Sequence, residues 1–395
     1  MNARTCLVPA LFVSAMLLAF PAHAATEGPY TYTVSGGKAT ITGFDPSYSG
    51  ALIITNELGG CPVTAIGYEA FADCYALASV TIPASVTSIG GYAFYNCSSL
   101  TSATIGDGVT SIGSYAFYNC ISLTAINVSE NNLHYASIDG VLFDKTLTAL
   151  IQCPGAFSGH FTIPGSVTQI TFFSFANCTA LTSVTIPDGV TSIGAYAFYD
   201  CFSLASVSIP DSVVFIGDYA FAFCSSLAEA TIPDGVTRIN RGAFTGCTSL
   251  ESVFLPDTVT SIGDDAFSFC YRLATVLFTG DSPSVGQDAF DATPDTIYYL
   301  PGTSDWGASA GGRPAVCWNP VFSPASPPRF SAGRFACTLA GNANIPVRIE
   351  ACESLTDPCR STVADTVIPA SGILEFSDPD ASSRPSCFYR ITFPQ

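Results

Sequence analysis

Apolar and polar positions follow two different periods within one short unit. In the stretch Leu181 to Pro187, Val184 and Ile186 alternate with Ser183 and Thr185, the period of two that marks a half-buried strand. Pro187-Asp188-Gly189 then supplies turn chemistry. Ile193, Ala197, Phe198 and Cys201 follow at i, i+4, i+5 and i+8, the spacing of one face of a short helix, so the unit predicts strand, turn and helical return. The unit repeats every 23 residues. Cys74, Cys97 and Cys120 keep this register, and so do Cys178, Cys201, Cys224, Cys247 and Cys270, each with a Phe three positions before it.

A unit this short cannot bury its own apolar face, so stacked copies must share one continuous core. The expected fold class is a solenoid with a parallel sheet on one side and short helical returns on the other. The Phe and Cys columns are then core. The run ALTSVTIPDGVTSIG at 180–194, followed by the Ala-Phe-x-x-Cys end of the unit, resembles the BspA-like leucine-rich repeats of exported bacterial proteins, over about residues 50 to 300. That resemblance implies a curved leucine-rich-repeat solenoid of α/β type and a binding role of the adhesive kind. It brings no catalytic residues.

The register jumps between Cys120 and Cys178, and the added stretch at about 129–160 also resembles an insertion common in such chains. Asp139-Gly140 and Asp144-Lys145 flank short apolar runs there and predict a protruding hairpin. His134, Tyr135, Lys145 and His160 gather in this region, which reads either as a structural elbow or as a functional insertion. Ahead of the repeats, residues 25–50 alternate about Gly36-Gly37 and predict a capping hairpin. The repeats themselves occupy 51–295. Residues 296–318, with Tyr298, Tyr299 and Trp306, depart from the unit and predict a terminal cap. A Pro/Ser stretch at 319–328 reads as a linker, and 329–395 alternates as a small antiparallel β-sandwich.

The start of the chain changes the compartment. A basic start, an apolar run from Leu7 to Phe20 and the small-residue site Ala22-His23-Ala24 predict a signal peptide over 1–24. No later segment is apolar enough for a transmembrane helix. The protein is therefore expected outside the cytoplasm, secreted or at the cell surface. Its residues are 48% hydrophobic and only 11% charged, yet the net charge is −18. That acidic balance, with no Lys/Arg cluster, speaks against nucleic acid and against anionic membrane as partners.

Eight cysteines sit in the repeat column, where neighbouring strands lie about 4.8 Å apart with parallel side chains. That geometry suits buried thiols better than disulfides. Cys337, Cys352, Cys359 and Cys387 in the last module fit disulfide bonding, with three pairings open. No catalytic motif is present, and the aspartates Asp188, Asp211, Asp234 and Asp257 read as solvated turn residues rather than a metal column. The chain is expected to be no enzyme and to need no cofactor or metal.

Two surfaces are candidates for binding. The outward positions of the long strands, Ser183, Thr185, Ser206, Ser208, Glu229, Thr231, Ser252 and Phe254, form a hydroxyl-rich face. Tyr92, Tyr115, Tyr196 and Tyr219 form an aromatic row two positions before the core Phe, either a second binding surface or rings that simply stack along the solenoid. The expected partner is an extracellular protein or glycan. The alternative is a structural or envelope-associated spacer whose solenoid displays the C-terminal module.

Overall fold

The computed structural model describes residues 24–293, 296–331, 334–352, 361–378, 380–381 and 388–393. Residues 1–23 of the predicted signal peptide lie outside the described residues. The repeats wind into a parallel solenoid, as their 23-residue period requires.

Each coil makes one long strand, such as Leu77–Ile82, Ser206–Ser208 or Ser252–Leu255, and one two-residue strand, such as Ser88–Ile89 or Ser192–Ile193. Long strands pair in parallel with the neighbouring coil in the repeat register: Ser183 opposite Ser206, Val184 opposite Val207. The short strands form a second parallel surface, with Ser192 opposite Phe215 and Ile193 opposite Ile216. Ile193 thus belongs to a strand, not to the predicted helix.

The helical returns are absent: no α-helix occurs among the described residues. Two residues of each return adopt left-handed backbone, Glu69 and Asp73 in one coil, Tyr92 and Asn96 in the next, Tyr115 and Asn119 after that, with φ between 53° and 63°. Such residues interrupt any helix. The amides of Glu69, Phe71 and Asp73 donate instead to the carbonyls of Gly91, Ala93 and Tyr95 on the next coil, at 3.1, 2.8 and 2.9 Å. Ala70, Ala72 and Cys74 close local turns between them. The return is a stack of turns knitted coil to coil, and every backbone donor from Glu69 to Cys74 has a partner.

The core follows the predicted columns. Phe71, Phe94, Phe175, Phe198, Phe221, Phe244 and Phe267 are fully buried and stack face to face, for example Phe175 on Phe198 at 4.8 Å and Phe198 on Phe221 at 5.0 Å. Cys97, Cys120, Cys201, Cys224, Cys247 and Cys270 point their thiols at the carbonyl of the Phe 26 residues earlier, at 3.0–3.1 Å. All eight repeat cysteines are free and buried. The thiol column is therefore a directed S–H···O ladder as well as a packing column.

The insertion does form a hairpin, Tyr135–Ile138 against Val141–Asp144 around Asp139-Gly140. It does not protrude. Val141, Leu142 and Phe143 are completely buried, because an apolar triplet at the hairpin needs the core that the stack supplies. Asn132, also fully buried, anchors it: its amide nitrogen donates to the carbonyls of Gly106 and Val109, and its oxygen accepts from the amides of His134 and Tyr135. The coil then passes from Ala149–Gln152 to Ser158–Thr162 through Cys153-Pro154-Gly155-Ala156, without a turn-rich return. The long-strand sheet breaks here, one part ending at Ala125–Val128 and the next starting at Ser158–Thr162.

At the start, Tyr30–Ser35 and Lys38–Phe44 pair around Gly36-Gly37, and Phe44 meets Phe71 at 4.7 Å. At the far end, the segment that reads as a linker is tied down: Val321–Phe322 pairs with Ala340 and Leu339, and Asn319 accepts from the Asn342 amide. Two antiparallel sheets come next, and their apolar residues share one cluster with Leu277 and Tyr298 of the solenoid. Phe393 touches the rings of Phe254, Tyr298 and Trp318. The module is docked on the sheet face of the last coils.

Candidate binding surfaces

The long-strand face is open along its middle coils. Thr185, Ser206, Ser208, Glu229 and Thr231 are exposed and Ser183 is half-buried, all in unbroken parallel register. Ser252 and Phe254 are expected from the sequence on the same open face. The docked module covers Phe254, half-buried against Phe393, and Ser252 is itself buried at 6% exposure. They are removed from the candidate surface. The physical reason stands in the sequence of that column, where Phe254 is followed by Leu277 and Tyr298 in place of hydroxyls. An apolar strip needs a cover.

His160 extends the open strip at its other end. It sits opposite Ser183, with Nδ1 2.8 Å from the Ser183 hydroxyl and Nε2 3.1 and 3.3 Å from those of Thr162 and Thr185. All these partners are hydroxyls, so no carboxylate orients the imidazole as a catalytic base needs. The sequence groups His160 with the insertion; its position 23 residues before Ser183 is the signal that it belongs to the strip.

The aromatic row is real and continuous. Tyr92 stacks on Tyr115 at 4.5 Å, Phe173 on Tyr196 at 4.5 Å, and Tyr196 on Tyr219 at 5.0 Å, all within 18° of parallel. Tyr115 and Phe173 meet edge to face at 4.5 Å across the coil that lacks a return. These tyrosines occupy left-handed backbone, a conformation that costs roughly 1–2 kcal/mol for a residue with a side chain. Each stacked contact offsets about 0.5–1.5 kcal/mol of that strain. The row stops at Gly242, over which the Tyr219 ring lies, and Arg241 stands 5.9 Å above that ring. Burial, reinforced by the neighbouring phenols, pushes the Tyr115 hydroxyl up to about 12.

Cys337 and Cys352 in the C-terminal module are buried free thiols, while Cys359 and Cys387 lie outside the described residues. Among the described residues no three His, Cys, Asp or Glu side chains gather as metal ligands would, and no helix is long and apolar enough to cross a membrane.

A turn-knitted parallel solenoid with a regular exposed strand face and a ladder of core rings is a leucine-rich-repeat scaffold. The model of the BspA type leucine rich repeat region matches residues 64–158 and 156–274, and the chain belongs to that family. Solved structures similar to it include a leucine rich cell surface protein from Faecalibacterium prausnitzii A2-165, at 27% identity over 66% of this chain and 96% of that one, with a TM-score of 0.42. Another is a leucine-rich repeat protein from Eubacterium ventriosum ATCC 27560, at 22% identity over 68% and 93%, with a TM-score of 0.49. The pneumococcal vaccine antigen PcpA is similar at 18% identity over 70% and 87%, with a TM-score of 0.37. The chain matches no curated protein.

Proposed function

We propose that the chain is an exported, adhesin-like binding protein that engages an extracellular protein or glycan through the open strip from His160 to Thr231, without catalysis. The observation that carries this reading is the strip itself: His160, Thr162, Thr185, Ser206, Ser208, Glu229 and Thr231 are exposed, while the apolar C-terminal end of the same sheet is covered by the chain's own module. A floor of paired strands is rigid, so its hydroxyls meet a partner with little loss of conformational freedom. The signal peptide expected over 1–24 agrees with such a place of work. A spacer displaying a free module fits less well, because the module is packed onto the solenoid and joined to it by the Trp318 indole donating to the Pro346 carbonyl at 2.7 Å.

Deleting residues 329–395 would uncover Leu277 and Tyr298, so substitution tests the strip more cleanly. The protein is screened by biolayer interferometry against extracellular-matrix proteins and a glycan panel, beside Thr185→Arg and Ser206→Arg. Saturable binding that both variants abolish supports the strip as the reader. Binding that survives both would sink this assignment.

A further inference from the structure

The insertion leaves a second, unassigned feature on the opposite side of the solenoid. Because the coil through Ala149–Gln152 omits its return, the returns on either side face each other across a notch. Tyr92, Tyr115 and Tyr118 come from one side of it, and Phe173, Tyr196 and Tyr199 from the other; together they line a recess of about 330 Å³. A second recess of about 180 Å³ adjoins it beneath Tyr115 and Phe172. The column that holds Tyr95, Tyr118 and Tyr199 carries Ala176 between the last two, so one ring is missing where the row would otherwise be filled.

The rings are set at two angles. Tyr115 and Tyr118 are 84° apart, Tyr118 and Phe173 are 90° apart, and Tyr196 and Tyr199 are 57° apart. The rings around the recess therefore meet at steep angles rather than in one parallel stack. Asp200 directly follows Tyr199 of the lining, close enough for its charge to act on both Tyr118 and Tyr199. It is half-buried, and its carboxylate accepts no hydrogen bond from the described residues; burial holds its carboxyl above the ordinary range. In the first coils the equivalent residues are paired, Asn96 to Asp73 at 2.7 Å and Asn119 to Asn96 at 2.9 Å. Farther along the same row, the protein satisfies a cation of its own with this combination: the Arg241 guanidinium lies over Tyr219 and 3.7 Å from the Asp265 carboxylate.

We infer that the aromatic recess around Tyr118, Phe173 and Tyr199 takes a cationic side chain, a guanidinium or ammonium group, from a basic segment of a partner protein, with Asp200 as its counter-ion. Ring quadrupoles attract a cation to their faces, and a desolvated carboxylate beside them strengthens the attraction. The net charge of −18 draws a basic segment towards the surface. This site refines the binding reading on a surface separate from the hydroxyl strip, and either can fail without the other.

The test uses the full chain and a short acetylated peptide carrying two arginines, with its citrulline counterpart as the neutral isostere and a neutral oligosaccharide as a third probe. Titration calorimetry at physiological and at 0.5 M salt should find saturable binding of the arginine peptide alone. Asp200→Asn and Tyr199→Leu should each weaken it about tenfold, and Ser206→Arg should leave it unchanged. Thermal melts confirm that the variants remain folded, and Ala176→Tyr provides an independent block by filling the gap. Equal binding of the citrulline peptide, preference for the oligosaccharide, or insensitivity to both Asp200→Asn and Ala176→Tyr would each overturn the assignment.

Discussion

Replacing Phe198 with alanine probes the logic of the whole stack. The ring is completely buried and lies between Phe175 at 4.8 Å and Phe221 at 5.0 Å, nearly parallel to both. Truncating a buried Phe to Ala costs about 3–5 kcal/mol, and the loss of two stacked faces puts this site at the upper end, about 5 kcal/mol. Phe290, at the end of the ladder, stacks on Phe267 alone at 5.5 Å, so Phe290→Ala should cost nearer ~3 kcal/mol. In a quasi-one-dimensional stack each coil leans only on its neighbours, so damage should stay local. Urea unfolding measures the two costs, and hydrogen exchange maps the damage. In Phe198→Ala, amides of the coils around 175–221 should lose protection first, while the N-terminal hairpin keeps its own. Equal costs at the two positions, or a uniform loss of protection along the chain, would refute the picture of a neighbour-coupled ladder.

Other perturbations read other parts of the molecule. Asn132→Ala removes four hydrogen bonds at a fully buried site and should cost about 3 kcal/mol by urea melts, against under about 1 kcal/mol for the exposed Ser206→Ala. Phe393→Ala should loosen the module, detected as new cleavage in 319–328 by limited proteolysis; an unchanged digestion pattern would contradict the docking. Burial raises the thiols of Cys201, Cys224 and Cys247, and pushes Cys270 up to about 12 from its ordinary 9.0. An acid whose folded pKa is raised gives stability that is complete below the unfolded value and lost as pH climbs towards the folded one. The unfolding free energy from urea melts should therefore fall above about pH 9, by up to ~1.4 kcal/mol per pH unit for each thiol, and a flat profile to about pH 10.5 would exclude this linkage.

The repeat, the strand face and both core columns are legible in the sequence because each rests on burial, which composition reports directly: Phe198 and Cys201 can only point inwards. The returns escape that reading for a physical reason. The spacing of Ile193, Ala197, Phe198 and Cys201 suits a helix face, but spacing says nothing about the sign of φ. A better signal stands one place before the cysteines, where Asp73, Asn96, Asn119, Asn177 and Asp200 recur, the residue types that tolerate left-handed backbone. The covered part of the strand face leaves only the trace of Phe254, an aromatic in a hydroxyl column. Module docking joins Phe254 to Phe393, far apart along the chain, and no local period encodes that. The notch behind Tyr115 is equally hidden, since it arises from a return that the insertion leaves out.

The ladder of thiols bears on how the protein can be made. Eight cysteines at regular intervals, in an unfolded chain that meets an oxidant, offer many wrong cross-links, and any link that pulls two of them together would prevent their coils from stacking. The outcome is a race. Segments of a few tens of residues close on the sub-microsecond scale, and contacts restricted to adjacent coils keep the search short, whereas thiol oxidation takes seconds or longer. Each completed coil shields its sulfur from the oxidant. Winding that outruns oxidation would keep such a solenoid reduced without a reductant. Anything that stalls winding, a chilled chain or a slow variant such as Phe198→Ala, should be trapped as oxidised aggregates that a mild thiol in the refolding buffer prevents.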